Sequence, residues 1–510
     1  PSDSPRWFAS TLVALPRWMG NCFASGGAGV GYAAAEGKSE SATLSEAGLT
    51  VDDLRHAPEY AALNSEAIDT ELDTTQPLAH YLISSSHNTY MKGGQFTFTG
   101  GDVDHTMYAT VIEGGCRCVE IDVYDATPAS SDDCEVYHGN ETLSGGSLSL
   151  RTVMATIAGA LPANHLPLII NCENHLDGEA GGDTFAKVVR SQWGEKLLLA
   201  EGAAAALTGP LEELRGRVLI RMKNKDAWPQ LGAIIALQNS TFRGCDNPAG
   251  YGPCNTSSIS EDKLGKKLFR ELGEDSIRDS HGEADDDDKL ISPAEAAAAI
   301  KYNAERVTRV YPRALAVRSQ NYSPLKAWEG GCGVAALNWQ AAGEPMDVNG
   351  ALFARHRSCG YVLKPQYQLP PFAPAAPTCT VRVTVVGVVA AAGATPKPPV
   401  RKLFFVRARV LSAHAHAFEA DSPAFRLGNA PFVDAVLPAA AGVTPMLSFV
   451  RFELRQDTLA GSTLVGSCTH WLPGIKQGVR RFAFVDKSAA NIDAAEYVLL
   501  ASVALDVVKA

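Results

Sequence analysis

The sequence predicts two unlike parts, an α/β barrel of the TIM type and, after it, an all-β sandwich. Short apolar strands alternate with helical segments over residues 76–225, and such alternation produces a parallel sheet. The alternation resumes over residues 291–366, and together the two stretches can supply the eight strand–helix units of a TIM-type barrel. Residues 378–510 are rich in strand-forming sequence and follow a proline-rich linker, which predicts a separate β-sandwich.

The first barrel stretch opens with the most informative loop of the chain. An apolar run at 81–83 breaks into small and polar residues that present His87 and Asn88. A rigid strand followed by a polar loop is the layout of a catalytic loop at the end of a barrel strand. Further strands are expected at 118–123, 166–171 and 217–222, and helices at 150–161 and 183–193.

Three further segments complete the predicted architecture. Residues 226–290 lack periodicity, contain turn-forming residues and end in an acidic run, which predicts a mostly flexible insertion. The second barrel stretch is expected to contain a helix at 295–306 and strands at 334–339 and 360–363. In the sandwich, strands are expected at 379–389, 401–410, 448–454 and 497–507.

Composition excludes several functional classes. A formal net charge of −11 argues against nucleic acid as a partner and against adhesion to an acidic membrane by bulk charge. Eleven cysteines without zinc-like spacing indicate reduced, mostly buried thiols in a cytosolic protein. No run approaches the roughly 18 apolar residues of a membrane span, and the N-terminus lacks the pattern of a secretory signal.

The N-terminal segment, residues 1–75, is the least informative part. Apolar residues between Trp7 and Met19 are mixed with arginines and precede a Gly/Ala/Ser-rich stretch. They suit an interfacial amphipathic segment or an element docked on the barrel, and we favour the docked element. Residues 60–64 are compatible with the tail of a degenerate EF-hand lobe, although the segment contains no Asp-x-Asp-x-Asp-Gly calcium loop.

Polar motifs follow several predicted strands. In the Glu-x-Asp motif at 120–122, one apolar residue separates the two acids, so within a strand they share one face. The motifs are His-Asn at 87–88, Glu-x-Asp at 120–122, His-Gly at 138–139 and Glu-Asn-His at 173–175.

In this order the motifs resemble the X region of the eukaryotic phosphoinositide-specific phospholipases C. Residues 325–365, with Trp-Glu-Gly-Gly-Cys at 328–332 and Gly-Tyr-Val-Leu-Lys-Pro at 360–365, resemble the Y region of that family. Gly466 and residues 472–478 resemble the C2-type sandwich that follows the barrel. The resemblance implies a TIM-type barrel split into an X half (76–225) and a Y half (291–366), an acidic linker (226–290) and a C2-type sandwich (378–510).

The resemblance also implies a catalytic calcium ion. Four motif residues offer only oxygen ligands, which suit calcium, whereas zinc would be expected to use His or Cys as well. Structural salt bridges are the alternative for the acids, but three acids without a cation would raise one another's pKa values. The four residues, which match the family's calcium ligands, are Asn88, Glu120, Asp122 and Glu173.

By the same resemblance, His87 stabilises a pentacoordinate phosphorus, His138 protonates the leaving oxygen and Glu120 is the base for the inositol 2-hydroxyl. Imidazole suits this work because its pKa lies near neutrality. The implied reaction hydrolyses phosphatidylinositol 4,5-bisphosphate and related lipids to diacylglycerol and an inositol phosphate, through a cyclic phosphate, in intracellular signalling.

Cations are expected to read the phosphates of the inositol ring. Arg221 and Lys223 lie two residues apart near a strand end, so they are expected to share a face. Arg309 and Tyr311 repeat this spacing, and both pairs match family positions that grip the 4- and 5-phosphates and pack on the inositol. Arg221 replaces the more common lysine, and arginine can bind phosphate in a bidentate fashion. A family serine at the 4-phosphate aligns loosely with Ser292.

The expected partner is a phosphoinositide in an anionic membrane surface, with the protein monomeric, cytoplasmic and peripheral at the inner face of the plasma membrane. Apolar contacts with the lipid are implied at Phe96, Leu143 and Leu315. In the sandwich, only Asp457 stands where calcium-binding C2 loops place several aspartates, so this domain is expected to have a structural role.

Two other functions fit parts of the sequence. One is a catalytically inactive scaffold that only binds phosphoinositides. The other is a metal-dependent glycerophosphodiesterase on the same barrel, which would leave the predicted phosphate-binding cations without a purpose. The complete set of motif histidines and acids favours an enzyme over the scaffold.

Overall fold

The computed structural model describes residues 71–92, 103–126, 132–139, 146–224, 226–245, 252–269, 293–313, 321–372, 378–391, 394, 401–413, 418–427, 432–459, 461–476, 478–487 and 494–508. The predicted EF-hand remnant, the segment 1–42 and the acidic run of the linker lie outside these residues. Among the residues described, no helix is long and apolar enough to cross a membrane. Every described cysteine is a free thiol, and most are buried, as the composition predicts.

The first part of the chain folds into a closed parallel barrel. Its strands and their short extensions are β1 (Tyr81–Ser86), β2 (Cys118–Asp125), β3 (Cys134–Val136), β4 (Leu148–Ser149), β5 (Leu168–Asn174), β6 (Val218–Met222), β7 (Ile235–Ser240), β8 (Asn255–Ser260), β9 (Thr308–Tyr311), β10 (Val334–Leu337) and β11 (Tyr361–Leu363). Parallel pairing runs β1-β2-β5-β6-β7-β8-β9-β10 and returns from β10 to β1, which closes a barrel of eight strands. Antiparallel β11 adds to β1, and β3 and β4 extend from β2.

The longer helices cover the barrel because they carry apolar stripes. In the helix that follows β4, Leu150, Val153, Met154 and Ile157 recur at helical spacing and are all buried. This helix begins after Ser149, whose hydroxyl oxygen accepts a hydrogen bond from the backbone N–H of Thr152. The helices are α1 (Thr106–Glu113), α2 (Leu150–Ala160), α3 (Glu179–Trp193), α4 (Ala200–Thr208), α5 (Pro229–Ile234), α6 (Glu261–Leu264), α7 (Pro293–Glu305), α8 (Leu325–Glu329), α9 (Glu344–Phe353) and α10 (Arg355–Ser358).

The predicted fold class is confirmed, but the structure corrects the linker. The stretch 226–290 contains α5, α6 and two of the eight barrel strands, β7 and β8, rather than a mostly flexible insertion. Sequence patterning missed these strands because much of their length is polar. β7 begins with the apolar residues 235–237 but ends in Gln-Asn-Ser, and Ile259 is the one apolar residue of β8 although Thr256 and Ser257 are buried.

The C-terminal part is a two-sheet β-sandwich. Its strands are β12 (Thr378–Ala390), β13 (Phe404–Leu411), β14 (Phe418–Asp421), β15 (Phe432–Val436), β16 (Ala440–Val443), β17 (Phe449–Thr458), β18 (Gly461–Trp471), β19 (Val479–Ala483), β20 (Val485–Asp486) and β21 (Tyr497–Val508). One sheet has the order β15-β12-β21-β19, with β16 also on β12, and the other has the order β14-β13-β17-β18-β20. Alternate residues such as Phe404, Val406 and Ala408 of β13 point into the shared core.

The sandwich packs directly on the second half of the barrel. Trp328 of α8 is fully buried and its ring lies 6.4 Å from that of Phe449 in β17. Beside this apolar contact, Asp347 of α9 accepts hydrogen bonds from Arg451 (2.7 Å) and Lys487 (3.0 Å) of the sandwich. Shared apolar core and buried ion pairs together join the two parts.

Candidate active site

The predicted motif residues meet at one end of the barrel. Asn88 and His87 follow β1, Glu120 and Asp122 lie in β2, and Glu173 lies in β5, near the carboxyl ends of these parallel strands. That end is where residues from several strands converge in barrels of this type. The candidate active site is therefore built on the most rigid part of the fold.

The loop after β1 is held in an uncommon conformation. Asn88 has a φ of 44°, in the left-handed region that non-glycine residues rarely occupy. Its backbone N–H donates to Glu120 Oε2 (2.9 Å), and the Glu120 N–H donates to Thr89 Oγ1 (2.9 Å). The strained backbone is thus fixed by reciprocal bonds between β1 and β2, which is typical of functional loops.

Three carboxylates occupy different electrostatic environments. Burial raises the pKa of Asp122 and of Glu120, and Arg309 opposes the rise at Glu120. Glu173 is half-exposed, and His175, 3.8 Å away, lowers the pKa of that carboxyl to about 2. The group therefore has one acid that ionises readily and two whose ionisation is disfavoured by burial.

The two histidines are in opposite electrostatic states. Asp122, whose Oδ2 lies 3.6 Å from Nδ1 of His138, raises the pKa of that imidazole. Burial, assisted by Arg309, lowers the pKa of His87 to about 4. At neutral pH, His87 is a neutral ring, whereas His138 holds a proton more readily than an ordinary histidine.

Asn338, at the end of β10, orients His87. Its Oδ1 lies 2.9 Å from Nδ1 of the ring, and the backbone N–H of His87 donates to Leu337 O (2.8 Å). The side chain of Asn338 is fully buried, so this contact is shielded from water. Because an amide oxygen only accepts, the neutral ring carries its proton on Nδ1 and presents Nε2 to the site.

The predicted phosphate-binding cations do not share one environment. Arg309 is buried, forms an ion pair with Glu120 and lies 5.0 Å from the centre of the Tyr311 ring. Arg221 is 1% exposed inside the barrel, whereas Lys223, just beyond β6, is exposed. Arg221 thus lies within β6 and Lys223 just beyond its end, and the sharing of a face by the two stays a prediction.

The site has features that fit a cation held by oxygen ligands. Asp122 Oδ1 is buried and has no hydrogen-bond partner within the described part of the chain. Ligand atoms of Asp122, Glu173 and His175 all lie within 4.8 Å of one another. An orphaned carboxylate oxygen beside a second ionised acid fits a hard divalent cation.

Several site residues were not assigned a role from the sequence. Tyr90 donates a hydrogen bond to Asp122 (2.7 Å), and Asn171 donates one to Glu120 (2.8 Å). Tyr90 and Asn171 each lie two residues from a motif, so their position was the available signal, but Asn338 has none because 251 residues separate it from His87. Four predicted residues lie outside the described ranges: Ser292, Phe96, Leu143 and Leu315.

Family models match both halves of the barrel. The model for phosphatidylinositol-specific phospholipase C, X domain, matches residues 74–224, and that for the Y domain matches residues 280–367. A barrel whose two halves match these models, with clustered acids and histidines at its carboxyl end, defines the class of protein. The chain belongs to the phosphoinositide-specific phospholipase C family.

Individual relatives agree with this assignment. The chain is 28% identical over 492 residues to "1-phosphatidylinositol 4,5-bisphosphate phosphodiesterase delta-3" of Mus musculus and 29% identical over 499 residues to that of Homo sapiens. Each match covers 86% of this chain and 58% of the relative, so the chain spans little more than half the length of these proteins. The crystal structure of L. pealei PLC21 matches 92% of this chain and 59% of its own, with a TM-score of 0.68 and 20% identity, which supports the fold.

Proposed function

We propose that this protein is a calcium-dependent phosphoinositide phospholipase C. It hydrolyses phosphatidylinositol 4,5-bisphosphate and related lipids to diacylglycerol and an inositol phosphate, through a cyclic phosphate. The observation that carries this proposal is the convergence of His87 and His138 on the acids of β2 and β5 at one end of the barrel. The substrate that appears in the names of its relatives also supports this proposal.

Calcium is the cation that the donor set fits best. Asp122 and Glu173 would hold it, with Asn88 and Glu120 completing a set of oxygen ligands. When bound, it would lower the pKa of the inositol 2-hydroxyl and neutralise charge on the phosphate. The two oxygens of Glu120 also accept hydrogen bonds from Arg309, Asn171 and the Asn88 N–H, and Arg309 and the Asn88 N–H oppose the rise in its pKa that burial causes.

The histidines divide the proton transfers. His138, whose proton is stabilised by Asp122, is the acid that protonates the departing diacylglycerol oxygen. His87 is neutral before substrate binds, and an anionic phosphate beside Nε2 favours a second proton there, which is then donated in a hydrogen bond to an oxygen on the pentacoordinate phosphorus. Glu120 accepts the proton of the 2-hydroxyl, and attack within the same molecule is favoured by proximity.

The same proposal includes the contact with the membrane and the location of the protein. The substrate lies in an anionic membrane, reached by apolar side chains at Phe96, Leu143 and Leu315, and Ser292 contacts a ring phosphate. The protein acts as a monomer at the cytoplasmic face of the plasma membrane. The sandwich packs against the barrel through Asp347 and Trp328, which fits a structural role.

The test is release of inositol trisphosphate from mixed vesicles that contain phosphatidylinositol 4,5-bisphosphate, with calcium or with a chelator. We expect release only with calcium, and an Asp122→Asn variant that needs a higher calcium concentration. Calcium should also raise the melting temperature of the wild type more than that of the variant. Release unaffected by the chelator would end the calcium assignment, and headgroup binding without release would favour the inactive scaffold.

A further inference from the structure

Arg221 lies inside the barrel, where both terminal nitrogens of its guanidinium are hydrogen-bonded, whereas its Nε has no partner among the described residues. Its guanidinium donates hydrogen bonds through Nη1 to Asn171 Oδ1, and through Nη2 to Asn239 Oδ1 (3.1 Å) and Ser258 Oγ (2.8 Å). A further bond joins Nη2 to the backbone oxygen of Ser257 (3.0 Å). Turning this side chain toward a ligand at the rim would break all of these contacts inside a dry environment, where an unpaired polar group is costly.

The hydrogen bonds of Arg221 connect it, through Asn171, to Glu120, the proposed catalytic base. Asn171 has one amide oxygen and one amide nitrogen, and Arg221 holds the oxygen. The nitrogen must therefore face Glu120, to whose Oε1 it donates a hydrogen bond of 2.8 Å. A continuous polar layer thus runs from Ser258 through Arg221 and Asn171 to Glu120, across four barrel strands.

Lys223, unlike Arg221, is exposed at the rim of the barrel. It follows the carboxyl end of β6, two residues after Arg221, and its side chain is exposed at the same end of the barrel as the candidate site. A flexible ammonium at this rim can meet an anion without breaking a network in the barrel interior.

We propose that Arg221 and Asn171 are positioning residues that act on Glu120, which leaves to Lys223 alone the ring-phosphate role that the family resemblance implies for both cations. This inference rests on the proposed function and reassigns Arg221, which the family resemblance places on the substrate. Arginine is required at 221 because its planar fork spans Asn171 and Ser258 at once, whereas a lysine ammonium is a single point.

The experiment compares two lipids and one soluble ligand. Initial rates on phosphatidylinositol 4,5-bisphosphate and on phosphatidylinositol are measured in the same calcium-containing vesicles for the variants and wild type. Binding of inositol 1,4,5-trisphosphate is measured by calorimetry, which does not depend on turnover. The variants are Arg221→Lys, Asn171→Ser and Lys223→Ala, with Lys187→Ala on an exposed face of α3 as the matched lysine control.

Arg221→Lys and Asn171→Ser should lower the rates on both lipids by a similar factor and leave trisphosphate affinity unchanged. Their double variant should be no slower than the slower single variant, because one residue acts through the other. Lys223→Ala should lower the rate ratio of the two lipids, and the trisphosphate affinity, by about 10–100-fold, the range for a lost hydrogen bond between charged groups. Lys187→Ala should leave the ratio and the affinity unchanged.

A selective loss of the bisphosphate rate, or of trisphosphate affinity, in Arg221→Lys would overturn the inference. An unchanged ratio in Lys223→Ala would overturn its second half. If Arg221→Lys does not fold by circular dichroism, Asn171→Ser still decides, because it removes the donor to Glu120 and leaves Arg221 in place. Absence of turnover by the wild type on either lipid would instead refute the proposed function.

Discussion

Lys364 offers a stability test of the contact between the two halves of the barrel. Its ammonium is 2% exposed and donates to Ala79 O (2.5 Å), just before β1, and to Asn303 O (2.9 Å) in α7. Burial lowers the pKa of this lysine from 10.5 to about 7. The charged form is therefore disfavoured in the folded protein relative to the unfolded chain.

The sign of the pH dependence follows from this shift. Between pH 7 and 10.5 the unfolded chain holds a proton on Lys364 that the folded protein has released, so the free energy of unfolding rises with pH. The slope approaches about 1.4 kcal/mol per pH unit, and the whole shift corresponds to roughly 5 kcal/mol. From pH 7.5 to 8.5 the gain is about 1 kcal/mol, because part of the lysine is still protonated in the folded protein at pH 7.5.

The perturbation is Lys364→Met, which keeps the length of the side chain and cannot titrate. Urea unfolding, followed by fluorescence of the buried tryptophans, gives the free energy of unfolding at pH 7.5 and 8.5. The variant also deprives two carbonyl oxygens of a donor, so the pH slope and not the absolute stability is compared. We expect the wild type to gain about 1 kcal/mol more than the variant over this interval.

Lys187→Met, at an exposed position of α3, is the control and should retain the wild-type slope. Titration of cysteines is common to all three proteins and cancels in the comparison. Equal slopes for wild type and Lys364→Met would show that the buried lysine is not titrating in this range, and the reasoning would fail.

Three further outcomes are expected. His87→Ala and His138→Ala should each lower turnover at least ~10²-fold with an unchanged circular dichroism spectrum; wild-type rates would contradict the assigned roles. Asp347→Ala should lower the free energy of unfolding by about 1.5 kcal/mol, because it removes the charged hydrogen bonds to Arg451 and Lys487 while Arg451 keeps its ion pair with Glu453; urea unfolding measures this, and an unchanged stability would contradict it. Cleavage after Lys289, or neutralisation of the acids at 285–288, should raise activity on anionic vesicles and lose that gain at high salt, because like charges near the lipid oppose binding; equal rates would favour a solvated tether.

The sequence predicts the elements whose side chains are apolar and local, and it misses those that depend on distant polar partners. The run that becomes β1 is buried over its whole length, so its pattern is visible. The strands β7 and β8 are hard to recognise from the sequence because they contain polar residues, Asn239 and Ser258, that bond a buried arginine. The residues next to Arg221 in the sequence do not reveal that it lies inside the barrel. Strand alternation places Arg221 and Lys223 on one face, but it does not tell how deep in the barrel each of them lies.

The residues of the candidate site likewise include some that can be recognised from the sequence and some that cannot. The motif residues Asp122 and Glu173 are recognisable because paired acids on adjacent strands have few purposes besides a cation. Asn338 is not recognisable, since its role exists only once β10 lies beside β1. Tyr90 shows an intermediate case, because its place after His87 is visible but its bond to Asp122 is not.

The position of β1 between β10 and β11 has a consequence for synthesis of the chain. Its partners on both sides come from the end of the barrel sequence, and the contact between His87 and Asn338 spans 251 residues. At about 5–20 residues per second, the ribosome needs roughly 13–50 s to supply the missing strands. During that time a strand that is buried over its whole length in the finished barrel has β2 as its one barrel neighbour among the described strands already made. Nascent chains that end before residue 334 should therefore depend on chaperones that hold exposed strands, whereas chains that extend past residue 363 should not.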